Sequence, residues 1–203
     1  MPITLNGSGT VSGISVGGLP DGCIQSADIA SGVIPAGGKI LQIQQTVKKD
    51  TFSAATTASS VGFVSGDVTG LSVSITPSSA TNKMLLIPNL NVSSDARFFH
   101  IYKDGSLIDH IGDAANDGNG DALVRAMFGN EGSTIANQQV TGMLLDTAGG
   151  TSAITYSIRI GALWSGSAVK TLYVNRSGDD NEVYSNYRLA RYTSSFTILE
   201  VAA

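Results

Sequence analysis

The stretch Gly38-Lys39-Ile40-Leu41-Gln42-Ile43-Gln44-Gln45-Thr46-Val47-Lys48-Lys49 alternates apolar and polar residues after Ile40, the period-two pattern of a strand with one buried face. It predicts that Ile43 and Val47, with Ile40 or Leu41, face a core, while Gln42, Gln44 and Gln45 turn to neighbours. Ile40 and Leu41 are adjacent, so on a regular strand one of them must face something else, and a second subunit is the expectation. Further on, Leu71-Ser72-Val73-Ser74-Ile75 alternates cleanly and ends at Pro77. Lys83 to Ile87 and Asn89 to Val92 read as one buried strand containing Pro88, which cannot donate to a ladder and therefore predicts an edge position or a bulge. Arg97 to Tyr102 is a strand, Lys103-Asp104-Gly105-Ser106 a hairpin turn, and Leu107-Ile108 its return. Strands over 122–128, 140–145, 153–163, 170–175 and 196–201 complete the set.

Helical periodicity is confined to Asp121 to Met127, closely flanked by glycines. About ten short strands between Gly-, Asn-, Asp- and Ser-rich loops predict an all-β fold, a jelly-roll-like antiparallel β-sandwich head over residues 39–203. The helices that a doubly wound α/β fold requires are missing.

Residues 1–38 are different. Ile3, Leu5, Val11, Ile14, Val16, Leu19, Ile24, Ile29, Val33 and Ile34 recur between Gly, Ser and Pro turn signals, in fragments too short to bury a core within one chain. The segment is either a flexible arm or a stalk ordered by intertwining with its own copies or by lying along a larger structure. The regular apolar punctuation, foreign to a Gly/Ser linker, favours the stalk. These ten residues are the candidate oligomerisation and attachment set.

Composition narrows the functional classes. Of 203 residues 42% are apolar and only 14% charged, against about 25% charged in an average soluble domain. Such a composition suits components that bury much of their surface against partners. The net charge is −4, and basic residues are scattered apart from Lys48-Lys49, so there is no electrostatic footprint for nucleic acid. A single cysteine, Cys23, excludes an intrachain disulfide and a multi-cysteine metal site. No run approaches the roughly 20 apolar residues of a membrane helix, and the N-terminus lacks a basic and apolar leader. The expectation is a protein made in a cytoplasm, without membrane insertion.

No catalytic constellation is visible. Asp117, Asn119 and Asp121 match the first alternate ligands of a calcium loop, but Ala122 replaces the turn glycine and Phe128 stands where the bidentate glutamate belongs. A polar hairpin loop is the better reading there, and also for Ser177 to Glu182. His100 and His110 lack zinc spacing and any nearby cysteine, and no G-x-S-x-G elbow occurs. No cofactor is expected. Trp164 stands at a strand end between Leu163 and Ser165-Gly166-Ser167, and Tyr184 and Tyr187 lie in the loop Val183-Tyr184-Ser185-Asn186-Tyr187-Arg188. Exposed aromatics in such settings hold sugars and protein surfaces, and packing in a subunit interface is the competing reading.

Several segments, in order, resemble a module of bacteriophage virion proteins, chiefly small tail-fibre proteins. They are Gly38-Lys39-Ile40-Leu41-Gln42, Thr51-Phe52-Ser53, Val68 to Pro77 followed by Lys83-Met84-Leu85-Leu86, Tyr156-Ser157-Ile158-Arg159, Tyr173-Val174-Asn175-Arg176-Ser177 and Ser195 to Val201. Ile14 to Gly22 with Ala27-Asp28-Ile29-Ala30 is similar to the start of the stalk in the same proteins. The resemblance implies a homotrimer, with intertwined N-terminal segments and a C1q/TNF-like jelly-roll head. It further implies a virion location, anchorage to other virion proteins through the N-terminal segment, and a host-surface glycan or protein as the distal partner. The alternatives are a capsid decoration protein of the same build and, from another class, a lectin-like or carbohydrate-active domain.

Overall fold

The computed structural model describes residues 38–56, 61–63, 66–94, 98–108, 128–129, 138–163, 169–177 and 191–203. Its strands are β1 (Ile40–Lys48), β2 (Phe52–Ala55), β3 (Val61–Phe63), β4 (Ser72–Ile75), β5 (Lys83–Ser94), β6 (Phe98–Lys103) and β7 (Ser106–Leu107). They continue with β8 (Phe128–Gly129), β9 (Gln138–Thr141), β10 (Leu144–Thr147), β11 (Ile154–Leu163), β12 (Thr171–Val174) and β13 (Ser194–Val201). All pair antiparallel in two sheets. The seven-stranded sheet runs β1-β13-β5-β12-β2, with β9 and β10 also paired to β5; the six-stranded sheet runs β3-β11-β6-β7, with β4 on β11 and β8 on β6. The fold is thus the expected all-β, jelly-roll-type sandwich. Apart from Gly38, the segment 1–38 lies outside the described residues.

Period-two alternation builds the core. On β13, Phe196 and Ile198 point inward and are fully buried, as are Met84, Leu86 and Leu90 on β5 and Leu172 and Val174 on β12. They meet Val73 and Ile75 of β4, Phe99 and Ile101 of β6, and Ile154, Tyr156, Ile158 and Ile160 of β11 in one cluster. Strand β13 is central although it comes last, because it pairs with β1 on one side and β5 on the other.

Two polar ties brace the sandwich. Asp146 of β10 accepts from Lys103 Nζ of β6 at 2.9 Å and from the Tyr156 hydroxyl of β11 at 2.8 Å, which joins the sheets. Burial, and then the Asp146 hydrogen bond, push the Tyr156 pKa upward, so the phenol stays a donor. Buried Asn175, at φ 63°, uses the left-handed conformation that asparagine tolerates. Its amide donates to the carbonyls of Lys48 and Asp50, both at 2.9 Å, and its oxygen accepts from Ser194 Oγ at 2.7 Å.

The hairpin at Lys103–Ser106 forms as expected, with Asp104 and Gly105 both at positive φ (48° and 79°), the primed turn that matches strand twist. Pro88 departs from expectation. It sits inside a central strand, opposite Phe196 of β13, and not at an edge. Its carbonyl accepts from Gly142 N at 3.1 Å, so its donorless nitrogen faces that same neighbour. The neighbour absorbs the gap: Thr141 pairs with Asn89 and Leu144 with Leu86, leaving Gly142 and Met143 as an in-register break between β9 and β10.

Phe196→Ala removes a fully buried ring between the sheets, and the expected loss is about 3–5 kcal/mol. Urea unfolding followed by circular dichroism checks it; a loss near zero would show that the ring is not part of the core.

Candidate functional site: the outer face of the large sheet

Strand β1 is inside out. Gln42 and Thr46 are half-buried and Lys48 is buried, whereas Ile43 (57% exposed) and Val47 (46% exposed) face outward. This corrects the expectation that Ile43 and Val47 face the core. The reason lies in what the polar side meets. Glu200 of β13 is fully buried at the inner edge of the sheet, with a carboxylate that must be satisfied there. Gln42 Nε2 donates to Glu200 Oε2 at 2.5 Å and to the Thr76 carbonyl at 2.7 Å. The other carboxylate oxygen accepts from Ser78 N and Ser78 Oγ, both at 2.7 Å, and from Asn82 Nδ2 at 2.6 Å. Lower on the strand, Thr46 Oγ1 donates to the Gly70 carbonyl at 3.2 Å and Lys48 pairs with Asp50 at 2.9 Å. Gln42, Thr46 and Lys48 therefore each have a fixed partner, and their contacts set which side of β1 turns inward.

The start of β1 is irregular. The pairing register with β13 shifts between Ile40 and Gln42, a bulge that relaxes strict alternation. Ile40 and Leu41 are consequently both exposed, and neither reaches the core.

Outward residues of four neighbouring strands fall into rows. Ile43 pairs with Leu199, Leu199 with Leu85, and Leu85 with Leu145, one wholly apolar row across β1, β13, β5 and β10. Beside it, Gln45 and Thr197 lead to Ile87, which lies opposite Met143 across the in-register break. On the other side, Ile40 pairs with Val201 and Val201 with Lys83. Leu145 is 50% exposed and Met143 68%. The single charge in these rows is Lys83, whose ammonium donates to Thr147 Oγ1 at 2.7 Å. A charge-poor apolar band thus crosses the outside of the sheet.

The site residues expected from sequence all lie outside the described residues: Asp117, Asn119 and Asp121, the aromatics Trp164, Tyr184 and Tyr187, and the apolar series from Ile3 to Ile34. His110 does too. His100 is buried on β6, opposite Arg159 of β11 and beside the Phe98 ring at 5.8 Å. Among the described residues, no group of three or more His, Cys, Asp or Glu is placed to hold a metal ion. On the outside of the six-stranded sheet, Arg159 stacks over Tyr102 at 3.9 Å and pairs with Asp67 at 2.7 Å. The alternation of β1 alone does not reveal this apolar face, because it does not say which side of the strand is inside. Its signal was available in the unbroken run Met84-Leu85-Leu86-Ile87, which marks a strand covered on both faces.

No family model matches the chain, and no curated protein matches it. Among similar solved structures is that of the infectious bursal disease virus Gx strain. It is 16% identical, with a TM-score of 0.34, over 82% of this chain and 37% of that one. This chain therefore spans little more than a third of that chain's length. At that degree of superposition the likeness bears no functional weight.

Glu200 makes a measurable pH signature. Burial alone would raise its pKa, but the hydrogen bonds from Gln42, Asn82 and Ser78 outweigh it and lower the value from 4.5 to about 2. With the folded value below the unfolded one, the stabilisation is complete above the unfolded value and is lost as pH falls through about 4.5 towards about 2. Glu200→Gln should reduce stability at pH 7 by about 1–3 kcal/mol and flatten the acid limb of the stability curve. Thermal melts from pH 7 to pH 2 check this; parallel curves for the two proteins would refute it.

Proposed function

We propose that the chain is a non-enzymatic structural protein of a bacteriophage particle: a homotrimeric tail fibre. Residues 1–38 form the attachment stalk and the sandwich head contacts the host surface. The observation that carries this reading is where the virion-like segments fall. The opening at 38–42 starts β1, Thr51 to Ser53 enters β2, and Val68 to Pro77 supplies β4 with its flanking turns. Lys83 to Leu86 begins β5, Tyr156 to Arg159 lies in β11, Tyr173 to Ser177 spans the end of β12 and the Asn175 tie, and Ser195 to Val201 is β13. The segments of the resemblance between residues 38 and 201 thus fall on strands and turns of the sandwich.

Described carboxylates and ammonium groups serve as ties: Glu200 to β1 and the Ser78–Asn82 turn, Asp146 and Lys103 between sheets, Asp67 to Arg159. This use of charge suits a rigid particle component. Adhesion would work by multivalency, with weak contacts at each head multiplied over heads and fibres.

Light scattering on the purified full chain should give three times the 20.9 kDa chain mass. Deleting residues 1–38 should leave a folded head that no longer joins particles. Incorporation of the truncated chain would remove the stalk assignment, and labelling on the capsid instead of the tail would favour a decoration role.

A further inference from the structure

We infer that the outer face of the six-stranded sheet is a binding site for a neutral, diol-bearing glycan, held between the Asp67–Arg159 pair and the hydroxyls of Ser72, Ser157 and Thr155. The inference rests on the host-contact reading of the head and names the site and the class of ligand.

The strands behind this face build it. On β11 the side chains of Tyr156, Ile158 and Ile160 are buried in the core, so alternation turns Thr155, Ser157 and Arg159 outward. Pairing sets Ser72 of β4, Ser157 of β11, Tyr102 of β6 and Leu107 of β7 in one row, on strands about 4.8 Å apart. In the next row Ser74 and Thr155 are exposed, with 2.8 Å between their hydroxyl oxygens. On the other side of Ser157 stands Arg159, opposite His100.

Three observations point to the ligand. The first is Ser157, which is only 4% exposed although it faces outward. Among the described residues its hydroxyl has no hydrogen-bond partner. A hydroxyl so enclosed is costly to leave unsatisfied, and a ligand hydroxyl arriving from outside satisfies it. The second is that Arg159 is already in place. Its guanidinium stacks over the Tyr102 ring at 3.9 Å and donates from Nε to Asp67 Oδ1 at 2.7 Å, so little side-chain freedom remains to be lost on binding. That bond uses one of five N–H donors, and both side chains keep part of their surface open. The pair thus presents donors and an acceptor side by side. Two adjacent sugar hydroxyls, each of which donates and accepts, match both. The third is charge. Arg159 and Asp67 cancel, so an acidic sugar meets the carboxylate and an amino sugar meets the guanidinium, whereas a neutral diol meets no repulsion. A protein partner would look for open aromatic anchors. Here Arg159 covers Tyr102, and Leu107 is the exposed apolar side chain of the row.

The test uses the full chain on an array of neutral hexose, uronic-acid, phosphate-bearing and amino-sugar oligosaccharides, followed by titration calorimetry with the strongest neutral binder. Neutral oligosaccharides should bind best. Arg159→Met and Ser157→Ala should each weaken that binding by about tenfold or more, and Arg159→Lys should recover little, because an ammonium lacks the planar fork. Lys83→Gln removes the same charge from the other sheet and should bind as the wild type does. Circular dichroism confirms that each variant folds. On the unaltered protein, the oligosaccharide should shield Arg159 from phenylglyoxal, as mapped by peptide mass. Binding to cells that the particle infects should survive protease treatment of those cells and be lost after periodate, which cleaves vicinal diols. A preference for acidic or amino sugars, unchanged affinity in both variants, or loss with protease instead of periodate overturns the inference. If the chain binds cells but no neutral glycan, the site falls while the host-contact reading stands. If it binds neither, both fall.

Discussion

One buried carboxylate decides which way the first strand of the head faces. Glu200 sits in the inward row of β13 that holds Phe196 and Ile198, and an unsatisfied carboxylate there would be prohibitive. Gln42 of β1 and the turn that holds Ser78 and Asn82 satisfy it. Gln42 can do so only if the even-numbered side of β1 turns inward. Because strand side chains alternate, that choice sends Ile43 and Val47 outward. The surface of the sheet is thus set from its interior.

Much of the fold is legible in the sequence because alternation and turn chemistry agree. Val73 and Ile75 on β4, the Asp104-Gly105 hairpin, and the alternating run at β13 lie where their pattern places them. The failures have one physical origin: a strand pattern specifies two faces but not which of them is inside. For β13, burial of Phe196 and Ile198 makes the choice. For β1 the choice depends on Glu200, which is 158 residues away along the chain from Gln42, and no local pattern contains it. Pro88 failed for a related reason. Its missing donor is real, but the cost is absorbed by a break in the neighbouring strand at Gly142 and Met143, so the proline can remain central.

The candidate site was less legible than the fold. The sequence points to polar loops and aromatics, whereas the feature that stands out among the described residues is an apolar row assembled from β1, β5, β10 and β13. Such a row exists only after pairing. The nearest local trace of it is Met84-Leu85-Leu86-Ile87, where no residue in the run is polar although the strand has two sides.

The place of β13 between β1 and β5 has a consequence for how the molecule comes into being. Until residues 194–201 are available, β1 has no partner in the sheet and the Glu200 contacts do not exist. The earlier strands therefore wait for the last one, in a topology of long-range pairings that closes slowly. During synthesis the apolar sides of β1 and β5 are present long before the strand that aligns them. A nascent chain passes through that interval without the apolar row, which forms only once β13 has paired with both β1 and β5.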